Sequence, residues 1–351
     1  MTLERPDLSQ VDPQILDYIE SLEAELAQLR SSSRSQRVVS IEPAEPSEPP
    51  TTACLVVMSK NGSIKRTYRH LYTRQRRSGM GIFDLETPEV DPPAFLTLAD
   101  ESADLLLISD LGRAYRMPVS ALHPTQIRER GQSIQNFVNI MPDENLCVML
   151  PAQDEGYLAI LSERGYVRLI RHNYIGEKMR PGTPIFDVGR FGSVAFGSWT
   201  TGENDLFIAT RSGKGIRFRE KMVHANGSLG IRLERGDDVA GITGVTPDGG
   251  VLLMGADGKG TIRLMSGFSG NKAPGSGGKI AMNTDHLIGA AAINHSDDIF
   301  AISQLSKIIR FQANESPPKE GVVQGVICMS LRADEVTTFT VCPLPKPGNH
   351  S

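Results

Sequence analysis

LLISDLGRAYR, residues 106–116, decides the architecture: an apolar run, a turn at Gly112 and a short strand that ends on a basic residue. The same block stands at VVMSKNGSIKR (56–66), ILSERGYVR (160–168), IATRSGKGIRF (208–218), LMGADGKGTIR (253–263) and AISQLSKIIRF (301–311). The turn glycines are Gly62, Gly112, Gly165, Gly213 and Gly258, with Ser306 in the sixth copy, so consecutive turns lie 50, 53, 48, 45 and 48 residues apart. A fixed period of this size marks a repeat architecture, in which one unit cannot bury its apolar surface alone and stacks on its copies.

Each copy has a second half: GMGIFDL (79–85), GQSIQNF (131–137), GTPIFDV (182–188), LGIRL (229–233), GKIAMN (278–283) and GVICMSL (325–331). A polar turn then leads to another apolar strand, such as VAGITGV (239–245) or LIGAAAI (287–293). The expectation is two hairpins per copy, hence six units of four strands. That is an all-β, six-bladed β-propeller of four-stranded blades, which limits exposed sheet edges. A solenoid is the alternative; six copies and the repeat length favour a closed or nearly closed disk.

Outside the repeats, PQILDYIESLEAELAQLR (13–30) reads as a short N-terminal helix. Asp12 is the N-cap, Pro13 opens the first turn, and Ile15, Ile19, Leu22, Leu26 and Leu29 follow coiled-coil spacing. Fewer than three heptads need a partner, either a second copy, another protein or the folded domain. Residues 31–52, rich in Ser, Pro and Glu, read as a disordered linker. The repeats fill 53–345, and 346–351 form a tail.

Charge is divided along the chain. Residues 1–50 hold 4 basic and 10 acidic side chains, which leaves 33 basic and 31 acidic for 51–351. The folded part is therefore slightly basic, and any phosphate binding depends on local clusters. No run of about 18 apolar residues and no leader-like N-terminus occur, so the chain reads as cytoplasmic, without a membrane partner. Cys54, Cys147, Cys328 and Cys342 are far apart and read as buried reduced thiols, without a metal site.

LGRAYRMPVSALHPTQIRERGQSIQNFVNIMPDE (111–144) and GKGIRFREKMVHANGSLGIRLERGDDVAG (213–241) resemble successive blades of the C-terminal domain of DNA gyrase A and of its relative in topoisomerase IV. The resemblance covers about 53–345. The family's seven-residue basic, Gly-rich box has its counterpart at Gln75, Arg76, Arg77, Ser78, Gly79, Met80 and Gly81, with Ser78 where the family has Gly and Met80 where it has a basic residue. The resemblance implies a six-bladed pinwheel whose rim binds and bends duplex DNA, with the box fastening the wrapped segment. It implies DNA topology as the setting, topoisomerase subunits as partners and a nucleoid-associated location. Full-length gyrase A proteins carry a breakage and reunion region with a catalytic tyrosine ahead of this domain. Fifty residues of helix and linker stand there here, so the expectation is a chain that does not cut DNA.

Wrapping requires cations that reach phosphates and backbone amides in Gly-rich loops, but no base readout. The candidates are Arg74, Arg76 and Arg77 in the first copy, Arg128 and Arg130 in the second, Lys178 and Arg180 in the third, and Lys272 and Lys279 in the fifth. All lie in the loop before the second-half strand, so the repeat gives them equivalent rim positions. The fourth copy offers His224 and Asn226, and the sixth Lys319 beside Glu320. A second basic series, Lys65, Arg66, Arg116, Arg168, Arg217, Arg263 and Arg310, lies within strands and is assigned to ion pairs and packing between blades.

Catalytic motifs are missing: there is no G-x-S-x-G or H-E-x-x-H, and GSGGKI (275–280) lacks the upstream Gly and the Ser or Thr of a P-loop. No cofactor is expected. The sequence thus points to a non-catalytic module that bends or wraps duplex DNA, assisting a type II topoisomerase in trans. The rival is a protein-interaction propeller that has lost DNA wrapping, favoured by the missing box charge and the acidic arm.

Overall fold

The computed structural model describes residues 15, 16, 19–23, 48–269 and 273–343. Residues 15–16 and 19–23 are helical; the rest of the expected 13–30 helix, residues 31–47 of the linker and the 346–351 tail lie outside the described residues. By contacts the chain divides into Met1–Glu45 and Pro46–Ser351, and the second unit holds the repeats.

The first repeat contains β1 (Ala53–Ser59), β2 (Ser63–Tyr68), β3 (Ile82–Phe83) and β4 (Pro93–Asp100). The second has β5 (Asp104–Ser109), β6 (Arg113–Pro118), β7 (Gln132–Ser133) and β8 (Leu146–Pro151), and the third β9 (Tyr157–Ser162), β10 (Tyr166–Arg171), β11 (Thr183–Pro184) and β12 (Val194–Thr200). The fourth has β13 (Asp205–Thr210), β14 (Lys214–Arg219), β15 (Ser228–Leu229) and β16 (Val239–Val245), and the fifth β17 (Gly250–Gly255), β18 (Lys259–Leu264), β19 (Lys279–Ile280) and β20 (Leu287–Ile293). The sixth has β21 (Asp298–Ser303), β22 (Lys307–Gln312), β23 (Val326–Ile327) and β24 (Val336–Cys342).

The turn joining the first two strands of each repeat reverses the chain through a positive φ. Gly62, Gly112, Gly165, Gly213 and Gly258 adopt φ between 72° and 89°, and Ser306 holds the same conformation at 62°. Glycine takes this conformation without steric cost; a residue with a Cβ does not. In Ser306 the hydroxyl donates to the Leu85 carbonyl at 2.6 Å.

The described residues form six four-stranded antiparallel sheets, and each mixes two repeats. In the first sheet the order is β4-β1-β2-β7, so the outermost strand comes from the second repeat. The exchange continues around the molecule: β11 joins β6, β15 joins β10, β19 joins β14, β23 joins β18, and β3 of the first repeat joins β22 of the sixth. The second hairpin expected inside each copy is therefore absent among the described residues. Its first strand spans only two residues and pairs across the repeat boundary, while its second returns to the inner side of the first hairpin.

Strands β4, β8, β12, β16, β20 and β24 pack on one another in that order, and β24 returns to β4, closing the disk. The apolar runs are continuous because both faces of the middle strands are covered. On β1, Cys54, Val56 and Met58 pack with Leu105, Leu107 and Tyr115 of the second repeat, whereas Leu55 and Val57 pack with Phe300 and Ile302 of the sixth. Each such fully buried side chain contributes about 1.5–3 kcal/mol.

Candidate nucleic-acid interface

The loops that carry the candidate cations run from the second strand of each repeat to the outermost strand of the preceding sheet, which places them at the rim. The repeat gives these loops a common position, but their side chains differ in what they touch.

Arg76, Arg128, Lys178 and Arg180 are exposed, and their side chains have no partner among the described residues. Arg128 reaches out from a backbone with φ 67°. Arg130 is also at the surface, 79% exposed, with its guanidinium 2.8 Å from the exposed carboxylate of Glu86 in the first repeat. Such exposed pairs contribute about 0–1 kcal/mol, so a competing phosphate displaces Glu86 at little cost.

Arg74 and Arg77 are engaged elsewhere. Arg74 Nε lies 3.0 Å from Asp298, whose side chain is fully buried. Arg77 donates through Nε to the Glu315 carbonyl at 2.9 Å and through Nη1 to the Ile327 carbonyl at 3.1 Å. Lys279 is half-buried, its ammonium 4.2 Å from the centre of the Phe268 ring. Lys272 lies outside the described residues.

The box lies along the seam between the first and sixth repeats. Gln75 N–H donates to the Arg310 carbonyl, Arg77 N–H to the Glu315 carboxylate and Ser78 N–H to the Cys328 carbonyl, while Gly79 accepts from Ser330 N–H. Ser78 has φ 65°, the conformation that suits the glycine of the family pattern. Gly81 has φ 74°, and a Cβ there would sit 2.6 Å from the Ile308 carbonyl oxygen. Met80 is half-exposed at 50%, so the position where the family has a basic residue faces solvent with a thioether.

The strand arginines have a different task. Arg116, Arg217 and Arg310 pair with Asp104, Asp205 and Asp298 of the adjacent strand at 3.0, 2.7 and 2.6 Å. They also donate to turn carbonyls of the next repeat: Arg116 to Ile175, Arg217 to Met265 and Phe268, and Arg310 to Arg69 and Tyr72. Arg66 donates likewise to the Leu122 carbonyl. These side chains are buried or nearly so and clamp one repeat to the next. Arg168 and Arg263 depart from this pattern, bonding to the Ile185 and Gly267 carbonyls within their own repeats. Lys65, fully buried, pairs with Asp84 at 2.9 Å.

A residue that sequence reasoning left in the linker completes the seam. Glu48 lies 2.7 Å from Arg69 Nε and 2.7 Å from Arg310 Nη2. Burial alone would raise the Glu48 carboxyl pKa, but hydrogen bonds and charge from Arg69 and Arg310 outweigh it and hold the group below its ordinary value. No signal in the Pro- and Glu-rich segment distinguishes Glu48 from Glu42 or Glu45.

Cys54, Cys328 and Cys342 are buried and Cys147 half-buried; burial pushes the Cys328 thiol up to about 11. Among the described residues no cluster of three or more His, Cys, Asp or Glu is placed to hold a metal ion. No described helix is long and apolar enough to cross a membrane.

Comparison with known proteins places this geometry. The family model "DNA gyrase C-terminal domain, beta-propeller" matches residues 55–88, 103–125 and 204–245. The DNA gyrase A protein of Ureaplasma parvum serovar 3 is 28% identical over 306 residues, 82% of this chain and 35% of that protein. The gyrase A proteins of Aminobacterium colombiense and Escherichia coli are 27% and 26% identical, over 83% and 80% of this chain and 37% and 33% of theirs. The chain thus spans about a third of the length of the curated relatives it matches. Among solved structures, a DNA gyrase A C-terminal domain superposes with a TM-score of 0.71 at 18% identity, over 83% of this chain and 100% of that one. The C-terminal domain of a DNA topoisomerase IV superposes with a TM-score of 0.58 at 19% identity, over 82% and 93%. Residues 53–343 therefore form a six-bladed propeller that shares the fold of a DNA gyrase A C-terminal domain and is similar in sequence to the DNA gyrase C-terminal domain over three stretches.

Proposed function

We propose that the pinwheel is a non-catalytic module that binds duplex DNA along its rim, bends or wraps it, and assists a type II topoisomerase in the bacterial cytoplasm. The observation that carries this reading is the row of exposed, unpartnered cations Arg76, Arg128, Lys178 and Arg180 among the described residues, in rim loops of three consecutive repeats. Cations so placed meet successive phosphates and read no sequence. Arg130, held only by exposed Glu86, extends the row. The relatives are DNA gyrase A proteins by name, which motivates the topoisomerase partner.

The decisive experiment titrates the full chain against labelled duplex DNA across a range of salt, with a plasmid relaxation assay in parallel. Affinity should fall steeply with salt, vary little with sequence and leave a topological change after relaxation. The combined substitution of Arg76, Arg128, Lys178 and Arg180 by Ala should abolish both signals. Binding that ignores salt, or survives the combined variant, refutes the assignment.

A second contact is proposed for the N-terminal helix. Ile15 and Leu22, one heptad apart, are 53% and 41% exposed, which suits pairing with a second copy. Sedimentation of the full chain, with Leu22→Glu as the control, tests it: a monomer that Leu22→Glu leaves unchanged rejects the pairing.

A further inference from the structure

At four of the six repeat boundaries a strand arginine reaches the turn carbonyls of the next repeat: Arg66, Arg116, Arg217 and Arg310. Between the third and fourth repeats Arg168 turns back to the Ile185 carbonyl of its own repeat. A groove of about 790 Å³ lies at this boundary, lined by Tyr157, Tyr174, Arg168, Arg171 and His224, with Asn226 beside them. Its size falls within the range of about 300–1,000 Å³ that accommodates organic ligands.

One buried polar atom beside this groove, Nε of Arg168, has no partner among the described residues. Glu220 beside it is fully buried and satisfied, its carboxylate accepting from the Thr200 hydroxyl and from the backbone N–H groups of Gly202 and Asn204. Buried polar groups are ordinarily satisfied, so the unmatched Arg168 donor beside the groove points to an occupant that supplies an acceptor. The charge at the mouth narrows its chemistry. Lys221 is neutralised by Glu203 at 2.7 Å, whereas Arg171 is exposed and has no partner among the described residues. Tyr174 is 73% exposed, an unusual position for so large an aromatic surface. An accessible ring beside the unpaired Arg171 guanidinium, with the exposed Asn226 amide on the same lining, matches an unpaired nucleotide. The base stacks, its edge meets donors and acceptors, and its phosphate meets the guanidinium.

We infer that the groove between the third and fourth repeats is a second nucleic-acid site, one that takes a short single-stranded DNA segment rather than duplex. Tyr174 is the stacking platform and Arg171 the phosphate contact. The choice of polymer rests on the DNA-binding reading of the rim, but the site uses different residues. DNA strained by bending frays into unpaired nucleotides, and a groove beside the rim captures them.

The test measures fluorescence anisotropy of the full chain with labelled oligothymidylate and, separately, with labelled duplex. Tyr174→Ala should weaken oligothymidylate binding about tenfold or more and Tyr174→Phe should restore it, while duplex binding changes less than about twofold. Arg171→Ala should lower the salt slope for the single strand by about 0.7. The groove assignment is overturned if oligothymidylate does not bind, or if neither Tyr174→Ala nor Arg171→Ala changes its binding. It is equally overturned if the combined rim variant removes single-strand and duplex binding together. Absence of duplex binding by the unsubstituted chain, with its single-strand binding intact, would instead sink the rim proposal and leave the groove standing.

Discussion

Arg310 Nη2 lies 2.6 Å from Asp298 Oδ2, and the two side chains are 1% and 0% exposed. This pair sits where the sixth repeat meets the first, and Arg74 and Glu48 attach to it from the other side of the seam. Removing one partner of a buried pair leaves an uncompensated charge. Asp298→Ala should therefore lower unfolding free energy by about 3–5 kcal/mol, read from urea denaturation. Asp298→Asn, which keeps a hydrogen-bond acceptor for Arg310, should lose less; equal losses would show that charge alone matters.

The Glu48 contact predicts a pH dependence. Its folded-state pKa is held below the ordinary value of 4.5, so the stabilisation is present above that value and is lost as pH falls through the depressed pKa. Glu48→Gln should cost about 1–2 kcal/mol at neutral pH, and the difference from the parent chain should shrink below about pH 4.5. Parallel denaturation curves at pH 7 and in acid check this; a difference that persists unchanged in acid would contradict it.

Two serines in the left-handed conformation should respond differently to glycine. At Ser78 the backbone holds φ 65° and the hydroxyl bonds only to the neighbouring Arg77 carbonyl. Ser78→Gly should stabilise the fold by about 0.5 kcal/mol, since relief of about 1–2 kcal/mol of strain exceeds the entropy cost of glycine. Ser306→Gly also relieves strain but loses the buried bond to the Leu85 carbonyl, worth about 1 kcal/mol, and should be nearly neutral or destabilising. Thermal denaturation of the two variants distinguishes them.

The two basic series should separate by assay. Arg217→Ala leaves Asp205 buried without its partner and should cost about 3 kcal/mol of stability, with DNA affinity unchanged wherever the chain remains folded. Arg76→Ala should leave stability within about 0.5 kcal/mol and reduce the duplex salt slope by about 0.9. The opposite pattern would exchange the assignments of strand and loop cations.

The turns and the repeat were legible because a positive φ restricts the residues that can occupy it. Gly62, Gly112, Gly165, Gly213 and Gly258 mark the six turns together with Ser306, and the backbone has the same conformation at all six. The structural role of Arg116, Arg217 and Arg310 was legible too, since a cation recurring inside buried strands needs a fixed partner. The destination of Ile82 and Phe83 was not. Two residues carry no alternation with which to choose a neighbour, and their partners Ile308 and Lys307 are brought to them by closure of the disk. For the same reason Arg74 read as a free loop cation, although its partner Asp298 lies 224 residues further along the chain. The opening beside Tyr174 depends on which way Arg168 turns, a choice of side-chain direction that repeat spacing does not encode.

Because each sheet borrows its outer strand from the following repeat, no repeat is a removable module. Deleting one would leave its own sheet without a centre and the preceding sheet without an edge, and the strand Ile82–Phe83 must still find the last repeat. Copies can therefore diverge residue by residue, as the differently charged rim loops have done, while blade number is inherited as a single indivisible trait.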